Sequence, residues 1–504
     1  MTVPAITVEF YDGAAWQDVS ADVVGSFQYG HGLLSPSPTD RVSPPGMLEC
    51  EMDNSAANSG AKLGYYSYDH ANVRTGWRIG AKLRVKIVSG GNTRYDLYRI
   101  KDIQPAPGLY ASRRVAVTAV DYMDEFEIRK LTALTVQTGK RGDELLTTLV
   151  ASMPIAPTAT SYDTGLYLLP YAFHDDEDEN TYCVTVLQKI GQSDLSYIYV
   201  DGNATGGETL HYEQPQKRYT TTASAATFSN TMIEMDLGHG RDDIYNNIKV
   251  TTNPVEVGTA IEVVASVPAE IPLEPSEHKI ITLRYIDSST DRRISAINLQ
   301  TATAGTDYNF SSRSGTQSGD LNGSLTAVFT QGANSVSADL TNGSATQKGY
   351  VLPLQARGNK VTTNNKVESI SKDTTSINTY GERTLNFNMP YQSSANVGKV
   401  VADELLRRTK DEHTQIKSIT YNANRNSTFM GYALTLFIGS RITVTETVSG
   451  VSTDFFVNGM EFNVDPGKIL NVTYYLERAF GAAGATYFVL DTSVLDGMDI
   501  LLPL

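Results

Sequence analysis

The sequence predicts a mainly β chain with a few helices, an α+β class, on three observations. Short runs rich in Val, Ile, Thr, Phe and Tyr recur along most of its length, bounded by Gly, Pro, Asn or Asp. Apolar residues at helical spacing are confined to three stretches: Asp143–Val150, about Thr181–Gln192, and Val397–Leu405. Tyrosine (28) far outnumbers tryptophan (2), and Gly, Ser, Thr and Asn are plentiful, a mix that suits strands and turns. A chain of 504 residues is too long for one core and implies three or four domains at ~100–200 residues each.

Residues 1–125 read as nearly all strand. Ala5–Tyr11 alternates, Asp12-Gly13 turns, and Gln17–Val24 leads into Phe27–Gly30. The strands Met47–Met52, Lys82–Val88, Tyr95–Ile103 and Arg114–Ala119 follow, with Tyr65, Tyr66 and Tyr68 in a polar loop between the first two. Residues 126–245 change character: the first two helices bury Leu145, Leu146 and Leu149, then Val184, Leu187 and Ile190, with Asn180 or Thr181 as the second N-cap. A strand and turn, Tyr197–Gly202, and a strand Thr209–Tyr212 come next.

Residues 255–369 are rich in Ser, Thr, Gly and Asn, with strands at Ile261–Ser266, Lys279–Tyr285, Ser324–Phe329, Ser335–Leu340 and Gly349–Gln355. This pattern predicts a small inserted β-sandwich. The third helix, capped by Ser393 or Ser394, buries Val397, Val401 and Leu405. After a charged break at 410–414 come strands at Ile416–Tyr421, Tyr432–Phe437, Arg441–Thr447, Thr453–Val464 and Ile469–Leu476. Ser449-Gly450 and Asp465-Pro466-Gly467 supply their hairpin turns. The segment 479–504 is apolar at Tyr487–Leu490, Val494-Leu495 and Ile500–Leu504 and carries Asp491, Asp496 and Asp499 and no basic residue. So greasy a terminus calls for a partner surface, on its own subunit or on a neighbour, with the neighbour preferred.

Composition excludes several functions. The net charge of −15 opposes wrapping nucleic acid, and no run of some 18 apolar residues is present to span a membrane. The start lacks the basic and apolar regions of a signal peptide. Two cysteines, Cys50 and Cys183, are too few for a Cys-rich zinc module and read as buried thiols. The histidines show no metal-ligand spacing, and His239 between two glycines reads as a turn residue. The acidic run 174–179 lacks the alternating oxygens of a calcium loop and reads as an acidic loop ahead of a helix N-terminus. No nucleophile elbow, P-loop or dinucleotide fingerprint occurs, and nothing nominates a pair of catalytic carboxylates. The expectation is therefore a protein that is no enzyme, with no catalytic, cofactor-binding or metal residues and no cofactor. Tyr65, Tyr66 and Tyr68 could stack a sugar; rings at a subunit contact are the preferred reading.

Several phrases stand in a telling order: Trp16-Gln17-Asp18-Val19, Pro45-Gly46-Met47-Leu48, Met52-Asp53-Asn54, Gly76–Val85 and Ala119–Met123. Ser376–Arg383, Leu434–Ser440 and the hairpin Phe456–Gly467 follow them. This sequence of phrases resembles the tail-hub (baseplate hub or tail-tip hub) proteins of tailed bacteriophages and related gene-transfer particles, over most of the chain outside 255–360. The resemblance implies a first hub β-barrel at 1–125, an α/β accessory domain at 126–245, and a second barrel with its helix at 246–254 plus 370–478. The 255–369 sandwich would be inserted in it and 479–504 would be a C-terminal arm. It further implies a homotrimeric virion protein, assembled in the bacterial host cytoplasm and placed at the tail tip. Its ring would close the six-fold tail tube, meet a distal tail or tube protein above and hold a spike or fibre protein below. DNA would pass its lumen without specific binding. The competing readings are a glycan-binding tail protein that uses the inserted sandwich, and a cell-wall hydrolase fused to a hub.

Overall fold

The computed structural model describes residues 2–34, 39–106, 112–131, 134–174, 181–238, 240–315, 318–413 and 415–480. Most strands of the opening and closing segments belong to one 13-stranded sheet. From one edge it runs Glu234–Gly238, Gln415–Asn422, Ile469–Arg478, Val451–Asp465, Val23–Gly32 and Met47–Asp53. It continues through Arg114–Val120, Asn92–Pro105, Lys82–Ser89 and Ala5–Tyr11 to Trp16–Asp18. Arg441–Glu446 pairs with Val451–Asp465 and takes Ala226–Ser229 parallel on its other side.

The pattern of buried residues shows which face of the sheet forms the core. Ile6, Val8 and Phe10 alternate with less buried neighbours, as do Leu48, Cys50 and Met52, and Leu83, Val85 and Ile87. These fill one contiguous core with Ile442, Val444, Phe462, Val472 and Tyr474 of the closing strands. The expected separate barrels are therefore one sheet, and among the described residues the pairing does not close either set into a ring. Phe27–Gly32 pairs along one edge with Val451–Asp465, while Val23, Val24 and Gln28–Gly30 pair along the other with Met47–Asp53, which joins the opening strands to the closing ones. The junction between Gly32 and Gly459 is tight. A Cβ on Gly30 would lie 2.6 Å from the Met460 carbonyl oxygen, and Gly32 adopts φ +96 with Asn458 O at 2.5 Å from its own Cβ position. The sheet nearly meets itself elsewhere: the Thr2 amide donates to Asn424 O at 2.9 Å, and the Asn424 side chain donates to Thr2 O at 3.0 Å.

Tyr432–Phe437, expected as a strand, lies mostly in a helix, Ser427–Thr435. Asn426 caps it through Phe429 N, and Phe429, Met430, Ala433 and Leu434 are buried on one face against the sheet. Tertiary burial overrides the strand propensity of Tyr432, Thr435 and Phe437 here.

The helix Ala395–Thr409 is capped by Ser394. It covers a separate three-stranded sheet of Val367–Lys372, Asn247–Thr252 and Thr384–Met389. Val401, Ala402 and Leu405 meet Ile248, Val250, Phe387 and Met389, whose alternation presents one apolar face to the helix. The insertion leaves that sheet after its central strand Asn247–Thr252 and returns at the adjacent strand Val367–Lys372. A six-stranded sheet centred on Gly349–Thr363 and the three-stranded sheet His278–Arg284, Ser335–Asn342, Leu325–Gln331 share one apolar core.

The helices Met123–Ile128, Gly142–Ala151 and Cys183–Asp194 enclose a further core with Tyr197–Gly202 and Glu208–Glu213. Tyr182 stands at the N-cap of the third of these, with no side-chain cap. Of the two residues expected there, Thr181 lies one position earlier and Asn180 falls outside the described residues. Ala226–Ser229 and Glu234–Gly238, expected in the accessory domain, belong instead to the large sheet.

Candidate functional site

Tyr197–Gly202 is buried on both faces. Ile198 and Val200 point into the helical core, while Tyr197 and Tyr199 belong to the large one. The third residue of that second face, Asp201, carries a charge into the molecule. It meets His31 and the strand Asn92–Pro105, whose Arg94, Asp96 and Tyr98 share a face by the two-residue period of a strand.

The geometry is closely specified. Arg94 reaches Asp201 Oδ1 with Nη2 at 2.7 Å and both Asp96 oxygens with Nε at 3.1 Å. Its Nη1 donates to Leu436 O at 2.9 Å, and its guanidinium lies 4.9 Å from the ring centroids of both Phe437 and Phe462. Asp201 Oδ2 accepts from Ile438 N at 2.7 Å, and Oδ1 from Gly202 N at 2.7 Å. His31 Nε2 donates to Asp201 Oδ1 at 2.8 Å, with Nδ1 3.4 Å from Tyr98 Oη. His31, Asp96 and Asp201 have the residue types and convergence of a cation site. The Arg94 guanidinium stands among them, within 3.0 Å of His31 Nε2, and supplies the positive charge itself.

Electrostatics follow from burial and from this pairing. For His31, burial works against the proton, but Asp201 and Asp96 outweigh it and raise the imidazole above its ordinary range. For Asp201, burial works against ionisation, yet Arg94 and His31 hold it well below the usual carboxylate range. Asp121, beside Gly46 and His31, is pushed up by burial to about 7, and its Oδ2 has no hydrogen-bond partner.

A second charged layer lies further along the same strand. Arg218 reaches Glu213 at 2.6 Å, Asn458 at 2.6 Å and Glu477 at 2.7 Å, with its guanidinium 3.6 Å from the Tyr197 centroid. Tyr197 Oη donates to Glu477 at 2.8 Å and Tyr199 Oη to Glu213 at 2.9 Å. Glu404 accepts from Arg407 at 2.9 Å, from Arg408 at 2.7 Å and from Tyr219. Arg99 and Glu208 form a two-bond pair at 3.0 and 2.6 Å. Together these groups bolt the opening strands, the helical unit and the closing strands to each other. Chemically the arrangement positions and rigidifies; it offers no exposed nucleophile.

The residues weighed from the sequence fall elsewhere. Tyr66 is fully buried, its ring 4.8 Å from Trp77 and its hydroxyl on Asp22, Tyr65 packs beside it, and Tyr68 is exposed, so the three do not make one stacking platform. Cys50 and Cys183 are free and buried in different cores, and burial pushes their thiols up to about 12 and about 11. His239, the acidic run after His174 and the segment 481–504 lie outside the described residues. Sequence reading missed the charged junction altogether. Its one local signal is the spacing Arg94, Asp96, Tyr98 at alternate strand positions, with Tyr95 and Leu97 between them.

No protein-family model matches the chain, and no curated protein matches it. Among solved structures it is similar to a tail protein from Neisseria meningitidis MC58, at 10% identity and TM-score 0.49 over 94% of this chain and 97% of that one. It is similar at the same TM-score to the 43 kDa tail protein of prophage MuSo2 from Shewanella oneidensis, at 8% identity over 94% and 98%. A third is an Escherichia coli type VI secretion component described as structurally similar to bacteriophage T4 tail proteins, at 7% identity and TM-score 0.37 over 93% and 78%. No described helix is long and apolar enough to cross a membrane.

Proposed function

We propose that the chain is a structural hub of a phage-like tail tip, working as a homotrimeric ring. In this reading each subunit contributes the opening and the closing half of its one sheet, so three subunits present six halves to a six-fold tube. The ring leaves a lumen for DNA, meets a distal tail or tube protein on one face and holds a spike or fibre protein on the other. The observation that carries the reading is the pairing of Val23–Gly32 with Val451–Asp465, which sets the opening and closing segments side by side within one subunit. The ordered phrases from Trp16 to Gly467 support it independently. The buried charged junction fits such a role, because a part that bears load through ejection needs its units fixed at set angles. Light scattering on the purified protein tests it: a mass of three chains is expected, and a stable mass not divisible by three chains overturns it.

A further inference from the structure

The last strand, Ile469–Arg478, delivers the chain to a cleft of about 540 Å³. Arg407 and Arg408 reach it from the end of one helix, Arg441 from a neighbouring strand, and Arg478 from the strand end itself. The final described residues already lie in it. The Ala479 amide donates to Asp454 O at 3.0 Å, and the Phe480 ring lies edge-on to His413 at 6.0 Å and 5.4 Å from the Arg408 guanidinium.

The carboxylates around this cleft are shared or taken. Glu404 serves both Arg407 and Arg408, Glu477 serves Arg218 and lies 3.6 Å from Arg408, and Asp454 is held by Arg441 at 2.8 Å. Arg478 is half-buried, and among the described residues its side chain has neither a carboxylate nor a hydrogen-bond partner. Burial works against its charge. Exposed Asp411 and Glu412 at the rim leave the cleft floor cationic and partly aromatic. The residues that follow Phe480 have the complementary composition: Tyr487–Leu490 are apolar, Asp491, Asp496 and Asp499 are acidic, and no Lys, Arg or His occurs from 481 to 504.

We infer that the cleft is the seat of residues 481–504 of the same chain, with an aspartate of that segment on Arg478 and its apolar side chains against Phe480. Charge complementarity sets the partner, and the placement of Phe480 sets the direction of entry. A seat on the same subunit reverses the preference for a neighbour that the sequence suggested, because the chain is already in its own cleft when it reaches Phe480. Asp491 lies eleven residues on, well within reach of Arg478 for a segment that doubles back at ~3.3 Å per residue.

The test is photocrosslinking of the full-length protein with benzoylphenylalanine in place of Phe488, mapped by mass spectrometry. Crosslinks to 407–413 and 452–454 of the same chain are expected. Arg478→Glu, which removes no internal partner, should lower their yield at least fivefold. Replacing Asp491, Asp496 and Asp499 by Lys in that background should restore it. Circular dichroism on both variants checks that the fold is intact, and the triple Lys replacement alone should show the same loss. Crosslinks that map to another surface or to a second chain, or a yield indifferent to both charge reversals, would overturn the inference.

Discussion

The charged junction and the inserted sheets hold themselves together in opposite ways. His31, Arg94, Asp201 and the Leu436–Ile438 backbone come from four distant parts of the chain and meet in a fully buried ionic cluster. The insertion buries Leu283, Val336, Ala338, Leu340, Val351 and Leu354 within a stretch of its own and joins the rest through two adjacent strands. The first arrangement can form only when the whole frame is assembled. The second is a local apolar core, which teaches that one chain can carry a rigid frame and an autonomous appendage.

The largest expected effect breaks the junction. Arg94→Met leaves Asp96 and Asp201 buried with His31 alone, and a cost of ~3–5 kcal/mol is expected, read as a lower denaturant midpoint of the main unfolding transition. Adding Asp96→Asn and Asp201→Asn should recover part of it, because the stranded charges are then gone. Leu340→Ala should cost ~2–5 kcal/mol, but only in the insertion. Hydrogen exchange monitored by mass spectrometry should rise in 262–363 while the strands around Arg94 keep their protection. A loss of protection in both regions would show that the two are one cooperative unit.

pH sharpens the same contrast. The raised His31 contributes stability that is fully present below its unfolded value near 6.5 and is lost as pH rises through its higher folded value. Asp121, held up to about 7, adds a further decline between its unfolded value near 3.8 and 7. Asp201, held low, acts in the other direction only below that unfolded value. The frame's guanidinium midpoint should therefore fall from pH 6 to pH 8, and His31→Gln should flatten the fall. The insertion's transition should not move with it. The smallest effect concerns a cap: Asn426→Ala removes the hydrogen bond to Phe429 N, a loss of ~1 kcal/mol in the frame transition.

Much of the strand content was legible. Alternation located Ala5–Tyr11, Met47–Asp53 and Lys82–Ser89, and turn chemistry located the hairpins at Gly450 and Gly467, both at positive φ. The helix Ala395–Thr409 and its Ser394 cap were equally plain. The sequence grouped that helix with 246–254, some 150 residues earlier across the insertion, but not as a sheet apart from the closing strands, a separation no local pattern encodes. Ser427–Thr435 was missed because Tyr432, Thr435 and Phe437 argue for a strand. Yet Asn426 three residues before Phe429, and the buried pairs Phe429-Met430 and Ala433-Leu434 four apart, carried the helical signal. The joining of Gly32 to Gly459 and of Arg94 to Asp201 rests on pairings more than a hundred residues apart, which no local pattern encodes.

The central claim concerns copy number around an axis. Electron cryomicroscopy of the intact particle, with this protein carrying a small fused tag, measures it most directly. The account predicts three tags arranged about the tail axis at the tip, each subunit turning the Val23–Gly32 and Val451–Asp465 junction alike to the ring. A single copy, a six-fold set, or tags along the tail shaft would contradict it.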